Sequence, residues 1–117
     1  MTLKAISERL GLALLNPQAA FDPAREVRQA HASDLLSDVL ANAPDGGLLL
    51  TIQVHLNVIA VAVHAGLAGV VFTSGLSPEE EVRQRAAAEG LPLFGTAEST
   101  FEVAGKLYAL GLRGRHG

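Results

Sequence analysis

The sequence contains no cysteine and no tryptophan, and only one methionine. Without cysteine there can be no disulfide, no thiolate nucleophile and no cysteine-bound zinc. Aromatic residues make up 4% of the 117 positions, so any core is aliphatic. Basic charge is scarce too. Nine Lys and Arg stand against twelve Asp and Glu, for a net charge of −3. That balance offers no basic stripe for nucleic acid. Enzyme signatures are also missing. There is no P-loop pattern, no GxGxxG after a strand and no GxSxG elbow. The N-terminal MTLKAISERLGL lacks the apolar centre of a signal peptide. A cytoplasmic protein with no cofactor and no bound metal is the expectation.

What the sequence has is one long apolar stretch, from Gly47 to Gly75. By hydropathy alone it could span a membrane. Gln53, His55, Asn57 and His64 interrupt it, and a bilayer penalises such groups. A single long helix is opposed by Gly66 and Gly69. The preferred reading is strand, helix, strand: Leu48 to Gln53, Asn57 to Ala65 ended by Gly66, and Gly69 to Thr73. This makes the chain an α/β protein with no membrane segment.

The remaining elements follow from spacing and punctuation. Thr2 to Leu10 reads as a helix with Leu3, Ile6 and Leu10 on one face and Gly11 as its stop. Leu12 to Leu15 is a short strand, and residues 16 to 24 are loop because of Asn16-Pro17 and Asp22-Pro23. Glu26 to His31 is a weaker strand. Ser33 is expected to cap a helix reaching about Ala41, with Leu35, Leu36, Val39 and Leu40 buried. Ser77-Pro78-Glu79-Glu80 predicts a cap, a first-turn proline and a capping-box Glu. Glu79 with Arg83 and Glu81 with Arg85 are spaced for ion pairs. Leu91 to Phe94 is a strand, and Thr96 is expected to cap a last helix with Phe101, Ala104, Leu107 and Leu110 on its apolar face. Residues 1–112 form one domain, and 113–117 a polar tail expected to fray.

Alternating strands and helices imply a three-layer α/β sandwich, with a mainly parallel sheet of four to five strands and helices on its faces. In such sheets ligands bind beyond the carboxyl ends of the strands. Those ends carry Ser33 and Asp34; Gln53, His55 and Asn57; Thr73, Ser74 and Gly75; and Thr96. Following helices would aim free amides at the same edge, which suits a small polar or anionic ligand. Plainer roles stand beside this one. Ser33, Asn57, Ser77 and Thr96 all serve well as helix caps. His64 falls inside an apolar helix and reads as structural. Asp34 and Asp38, one turn apart, could share a divalent ion but fit an ordinary solvated face. No Lys or Arg lies in the four strand-end loops, so a triphosphate has no evident cation.

From Ser33 through Gly75 the sequence resembles the DRTGG domain family. The stand-alone subgroup is similar through Ser33-Asp34-Leu35-Leu36-Ser37-Asp38, Thr51-Ile52-Gln53-Val54-His55 with Asn57, and Phe101-Glu102-Val103-Ala104-Gly105. The family's Thr-Gly-Gly is matched by Thr73-Ser74-Gly75, with Ser in the middle. Its Asp-Arg pair has no counterpart, and Gln53 and His55 stand in that region. The resemblance implies a small regulatory α/β module, a homodimer, an adenine-nucleotide-type ligand and a protein partner still to be identified. It implies no catalytic residue. Three functions therefore compete: a ligand-sensing module, a pure interaction module, and a small hydrolase or transferase with His55 as base beside Asp34.

Overall fold

Strands β3 (Leu48–Thr51) and β4 (Gly69–Phe72) lie side by side in parallel, and all eight of their residues are buried. They are the two strands of the apolar stretch, and α3 (Asn57–His64) joins them. The computed structural model describes residues 1–117. No helix in it is long and apolar enough to cross a membrane. Two more parallel strands extend the pair, β2 (Ala30–Ala32) beside β3 and β5 (Leu93–Gly95) beside β4. A two-residue antiparallel strand, β1 (Ala13–Leu14), closes the far edge on β5. The order across the sheet is β1-β5-β4-β3-β2.

Side chains alternate strictly between the two faces of this sheet. Leu49, Val70, Phe72 and Leu93 point one way. There they meet Val39 of α2 (Leu36–Asn42), Val58, Ile59 and Ala62 of α3, and Val82 and Ala86 of α4 (Glu80–Ala88). Leu48, Leu50, Val71 and Phe94 point the other way. They meet Leu3 and Ile6 of α1 (Leu3–Leu10), and Val103 and Leu107 of α5 (Thr100–Ala109). This is the expected three-layer α/β sandwich, with three helices on one face and two on the other. Burial of each of these aliphatic side chains contributes roughly 1.5–3 kcal/mol.

Helix α1 begins as the sequence suggests. Thr2 Oγ1 accepts from the Ala5 amide at 3.1 Å, and Gly11 ends the helix at φ 64°. Other helix starts differ. Helix α2 begins at Leu36, with Leu35 rather than Ser33 as its N-cap residue. Leu35 therefore lies outside the helix and is 65% exposed, and Leu40, about 100° round the helix from Val39, is 50% exposed, so only Val39 of the expected face is fully buried. Helix α4 begins at Glu80, so Pro78 precedes the helix and Ser77 caps nothing. Arg83 donates to the Pro78 carbonyl at 2.6 Å, and neither expected Glu–Arg ion pair forms. Helix α5 is capped by Ser99, whose Oγ accepts from the Glu102 amide at 3.2 Å. Phe101 is 82% exposed, and Val103 takes the buried place expected of it. His64 is exposed at the last turn of α3, where partial negative charge favours a basic group.

Asn16, expected only to mark a turn, is fully buried. Its Nδ2 donates to the Leu91 carbonyl at 2.9 Å, and its Oδ1 accepts from the Leu93 amide at 2.8 Å. One side chain thus ties the chain after β1 to the start of β5. The end of the chain lies along β2. Arg113 exchanges backbone hydrogen bonds with Arg28 and Ala30, and Arg115 donates to the Ala41 carbonyl at 2.9 Å.

Candidate functional site

The four parallel strands end on one edge, and the nine residues selected from the sequence all lie on or just past it. Chain direction divides that edge. Strands β2, β3 and β4 each lead to helices on one face, whereas β5 leads to α5 on the other. The exits of β4 and β5 are therefore where neighbouring connections part, the place where open α/β sheets usually offer a crevice.

Here that crevice is laced shut. The Ser74 amide donates to the Glu98 carbonyl at 2.7 Å, and the Gly75 amide to the Thr96 carbonyl at 2.9 Å. Both residues have positive φ, 60° for Ser74 and 72° for Gly75. That turn aims successive amides at the neighbouring loop and removes them as anion donors. Thr73 is fully buried, and its Oγ1 lies 2.6 Å from Thr100 Oγ1. Thr96 does not cap α5. Its Oγ1 accepts from the Glu98 amide at 3.2 Å, which turns the loop locally. Gly75 and Thr96 still border a groove of about 540 Å³, with Ser77 and Glu98 on its walls.

The exit of β3 is built differently. Thr51 Oγ1 accepts from the Gln53 amide at 3.0 Å, Gln53 Oε1 from the His55 amide at 3.1 Å, and His55 Nδ1 from the Asn57 amide at 3.0 Å. Each polar side chain bonds the amide two residues ahead, so residues 51–57 form a ladder of local turns. Asp34 anchors the foot. Its Oδ1 accepts from Thr51 Oγ1 and from the Ile52 amide, both at 2.8 Å. The ladder also sets chemistry. With Nδ1 accepting, a neutral His55 ring carries its proton on Nε2 and offers a donor outward. Asn57 is the first residue of α3 and caps nothing. Leu56 is the N-cap residue, without a side-chain bond, and His55 Nδ1 accepts from the Asn57 amide.

Gln53 and His55 border a second groove, of about 550 Å³, with Val54, Leu56, Glu79, Glu81 and Val82. Its charge is acidic. Asn57 faces a smaller cleft between α3 and α4 with Arg85 and Glu89. The structure therefore distributes the predicted residues. Gln53 and His55 share one groove, Gly75 and Thr96 another, Asp34 supports the first from below, and Thr73 is inside. Ser33 Oγ accepts from the Leu35 amide at 3.2 Å and forms a local turn. Thr51 holds the arrangement together, and sequence reasoning did not select it. Its signal was a polar residue closing an otherwise wholly apolar strand. Asp34 and His55 share no hydrogen bond, so the base–carboxylate pair of the hydrolase reading is not assembled.

A second cluster was also missed. His31 Nε2 lies 2.8 Å from Asp38 Oδ2, and Asn42 Nδ2 donates to Asp38 Oδ1 at 2.8 Å. The Asn42 bond, with those of His31 and Ser33, lowers the Asp38 pKa to about 2. Asp34 and Asp38 thus serve different partners, and no three His, Asp or Glu side chains gather as metal ligands.

The chain resembles the crystal structure of the CBS and DRTGG domains of the regulatory region of Clostridium perfringens pyrophosphatase, complexed with its activator diadenosine tetraphosphate. The TM-score is 0.69 at 14% identity, over 95% of this chain and 47% of that one. This chain therefore spans about half the length of that relative, and the likeness is one of fold. No curated protein matches the sequence. The DRTGG domain profile matches residues 38–110, more than half of the chain and all of the sheet from β3 to β5. The chain belongs to the DRTGG domain family.

Proposed function

We propose that this chain is a non-catalytic regulatory module that senses a small polar, nucleotide-like ligand at the carboxyl edge of its sheet and works as a homodimer in the cytoplasm. The observation that carries the reading is the ladder from Thr51 to Asn57. The amides of Gln53, His55 and Asn57 are satisfied within it, while Gln53 Nε2 and His55 Nε2 make no bond within the chain. A groove whose donors are already fixed binds with little ordering cost. The pyrophosphatase region of the same fold is held in complex with an adenine dinucleotide, which supports the ligand class.

The groove narrows that class. Glu79 and Glu81 face Gln53 and His55, and no Lys or Arg lines the wall. Purine edges and ribose hydroxyls suit these groups better than bare phosphates do. Adenosine-bearing ligands would place the base and sugar here and leave phosphate outward. Ser33, Asp34, Asn57, Thr73, Ser74, Gly75 and Thr96 then shape and support the edge.

Thermal melting with adenosine, AMP, ATP and diadenosine tetraphosphate tests the proposal. A ligand at a hundredfold excess over its Kd is expected to stabilise the fold by about 2.7 kcal/mol. The shift should vanish in His55→Ala. No shift with any of the four, or an undiminished shift in His55→Ala, would overturn it. One observation favours the interaction-module reading instead: Phe101 is 82% and Tyr108 62% exposed on the same helix. That reading expects no nucleotide response and partner binding insensitive to His55.

A further inference from the structure

The amino edge of the sheet holds a hollow of about 270 Å³, at the opposite end of the strands from the groove at Gln53 and His55. Its floor is apolar and buried. Leu3 comes from the first turn of α1, Leu67 and Ala68 from the turn into β4, and Leu91 from the turn into β5. Phe21 stands against this floor, held edge-on to Phe94 with ring centres 6.5 Å apart. The loop that carries Phe21 is fixed on both sides. The Leu3 and Lys4 amides donate to the Arg25 and Pro23 carbonyls at 3.0 and 2.9 Å. On the other side stands Gly90, at φ 69°, where a Cβ would lie 3.0 Å from the Ala20 carbonyl. Glycine there lets the loop close on the end of α4.

The rim carries charge of both signs. Arg25 stands on the loop side and Glu89 at the end of α4. Neither enters an ion pair within the chain. Asp22, the third charged residue, accepts from the Ala24 amide at 2.9 Å and serves its own turn. Helices α3 and α4 both end at the hollow, through Val63 and Glu89, so their partial negative charge adds to that of the Glu89 carboxylate. One side of the rim thus favours an ammonium group and the other, at Arg25, a carboxylate, with apolar surface below them. A cavity of about 150 Å³ accepts benzene, so this one has room for an apolar side chain and a small charged head. We propose that the hollow binds a free α-amino acid with an aliphatic or aromatic side chain. Its carboxylate pairs with Arg25, whose planar guanidinium can hold both oxygens. Its ammonium meets Glu89, and its side chain lies on Leu3, Phe21 and Leu91. A ligand with one charge alone leaves Arg25 or Glu89 unmatched. The hollow shares no residue with the groove at Gln53 and His55, so the two sites stand or fall separately.

Calorimetric titration of the full chain with L-leucine and with L-phenylalanine is the test, with amide chemical shifts to locate the contact. At least one of the two is expected to bind and to move the Phe21, Arg25 and Gly90 amides. The amide of that amino acid lacks the carboxylate, and its deaminated acid lacks the ammonium. Each is expected to bind about tenfold or more weakly, through loss of one charged hydrogen bond. Arg25→Gln and Glu89→Gln change exposed side chains and should weaken binding by a similar factor with unchanged circular dichroism. His55→Ala should leave it intact. Absence of binding by both amino acids at millimolar concentration would overturn the proposal. Analogues that bind as tightly as the amino acid would overturn it too, and they test the charges without altering the chain. Unchanged affinity in both Gln variants, or shifts confined to residues outside the hollow, would place the ligand elsewhere and overturn this site. The nucleotide melts judge the other groove independently.

Discussion

Thr73 Oγ1 and Thr100 Oγ1 lie 2.6 Å apart and join the end of β4 to the first turn of α5. Thr73 is fully buried, so its hydroxyl has no recourse to water if its partner is removed. Thr100→Val is therefore expected to cost about 1–3 kcal/mol, the penalty of a stranded buried hydroxyl. Urea unfolding of the variant measures it. A loss within experimental error of zero would show that Thr73 is satisfied elsewhere.

Replacing the buried Asn16 should give a large loss of stability. Asn16→Ala deprives the Leu91 carbonyl and the Leu93 amide of their side-chain partner and leaves a hole beside β5. A cost of roughly 2–5 kcal/mol is expected from the two unmet groups. Asn16→Asp should also destabilise, because it removes the donor to the Leu91 carbonyl and buries a charge. Chemical denaturation reads both.

Acid should act on the contact between β2 and α2. Asp38 has its pKa lowered to about 2, first by the Asn42 bond and then by those of His31 and Ser33. A carboxyl depressed in the folded state adds stability above its ordinary pKa and loses it as pH falls through the folded value. The affected window thus runs from about pH 4 down to about pH 2. Asn42→Ala removes the leading cause, and NMR titration should find the Asp38 carboxyl moved back toward its usual range. An unchanged midpoint would assign the shift to His31 and Ser33 instead.

Ser74 occupies a left-handed backbone position at φ 60°, where the Cβ of a non-glycine residue is crowded. The family pattern has glycine there. Ser74→Gly should relieve that crowding, at some cost in unfolded-chain entropy, for a net gain of roughly 0.5–1 kcal/mol. Its amide bond to Glu98 should persist. A fall in stability would mean that the Ser74 side chain contributes more than its backbone strain costs.

The sheet was legible because its signal is redundant. Leu48 to Leu50 and Gly69 to Phe72 are apolar on both faces, so no neighbouring element could reassign them. Helix starts were less legible, since several polar residues compete for each one. Thr96 and Ser99 both precede α5, and Thr96 spends its hydroxyl on a local turn. The pair Ser99 and Glu102, three apart, was the better capping signal. Leu35 was misplaced for the same reason, because it precedes the helix, whereas Leu40 sits about 100° round from the buried Val39 on a narrower apolar face than expected. At the site, residue types were readable but their division of labour was not. Whether a Thr or His faces a ligand or its own backbone depends on loop geometry two residues away. His55 shows this: its Nδ1 serves the Asn57 amide, and only Nε2 is left for other work.

The sheet order carries one more consequence, for the sequence of events as the chain is made. Each parallel strand pairs with the next one along, so β2, β3, β4 and β5 can be added one after another as they emerge. β1 is synthesised before all of them but pairs only with β5, Ala13 opposite Gly95. β1 therefore waits for β5. Until then its neighbour Asn16 has neither Leu91 nor Leu93 to bond. Closing so long a loop is slow relative to the local pairings. Folding intermediates should hold the parallel sheet formed with the β1 edge still open. That exposed strand, not the apolar Gly47–Gly75 stretch, is then the part of the nascent protein most available to a chaperone or to another chain.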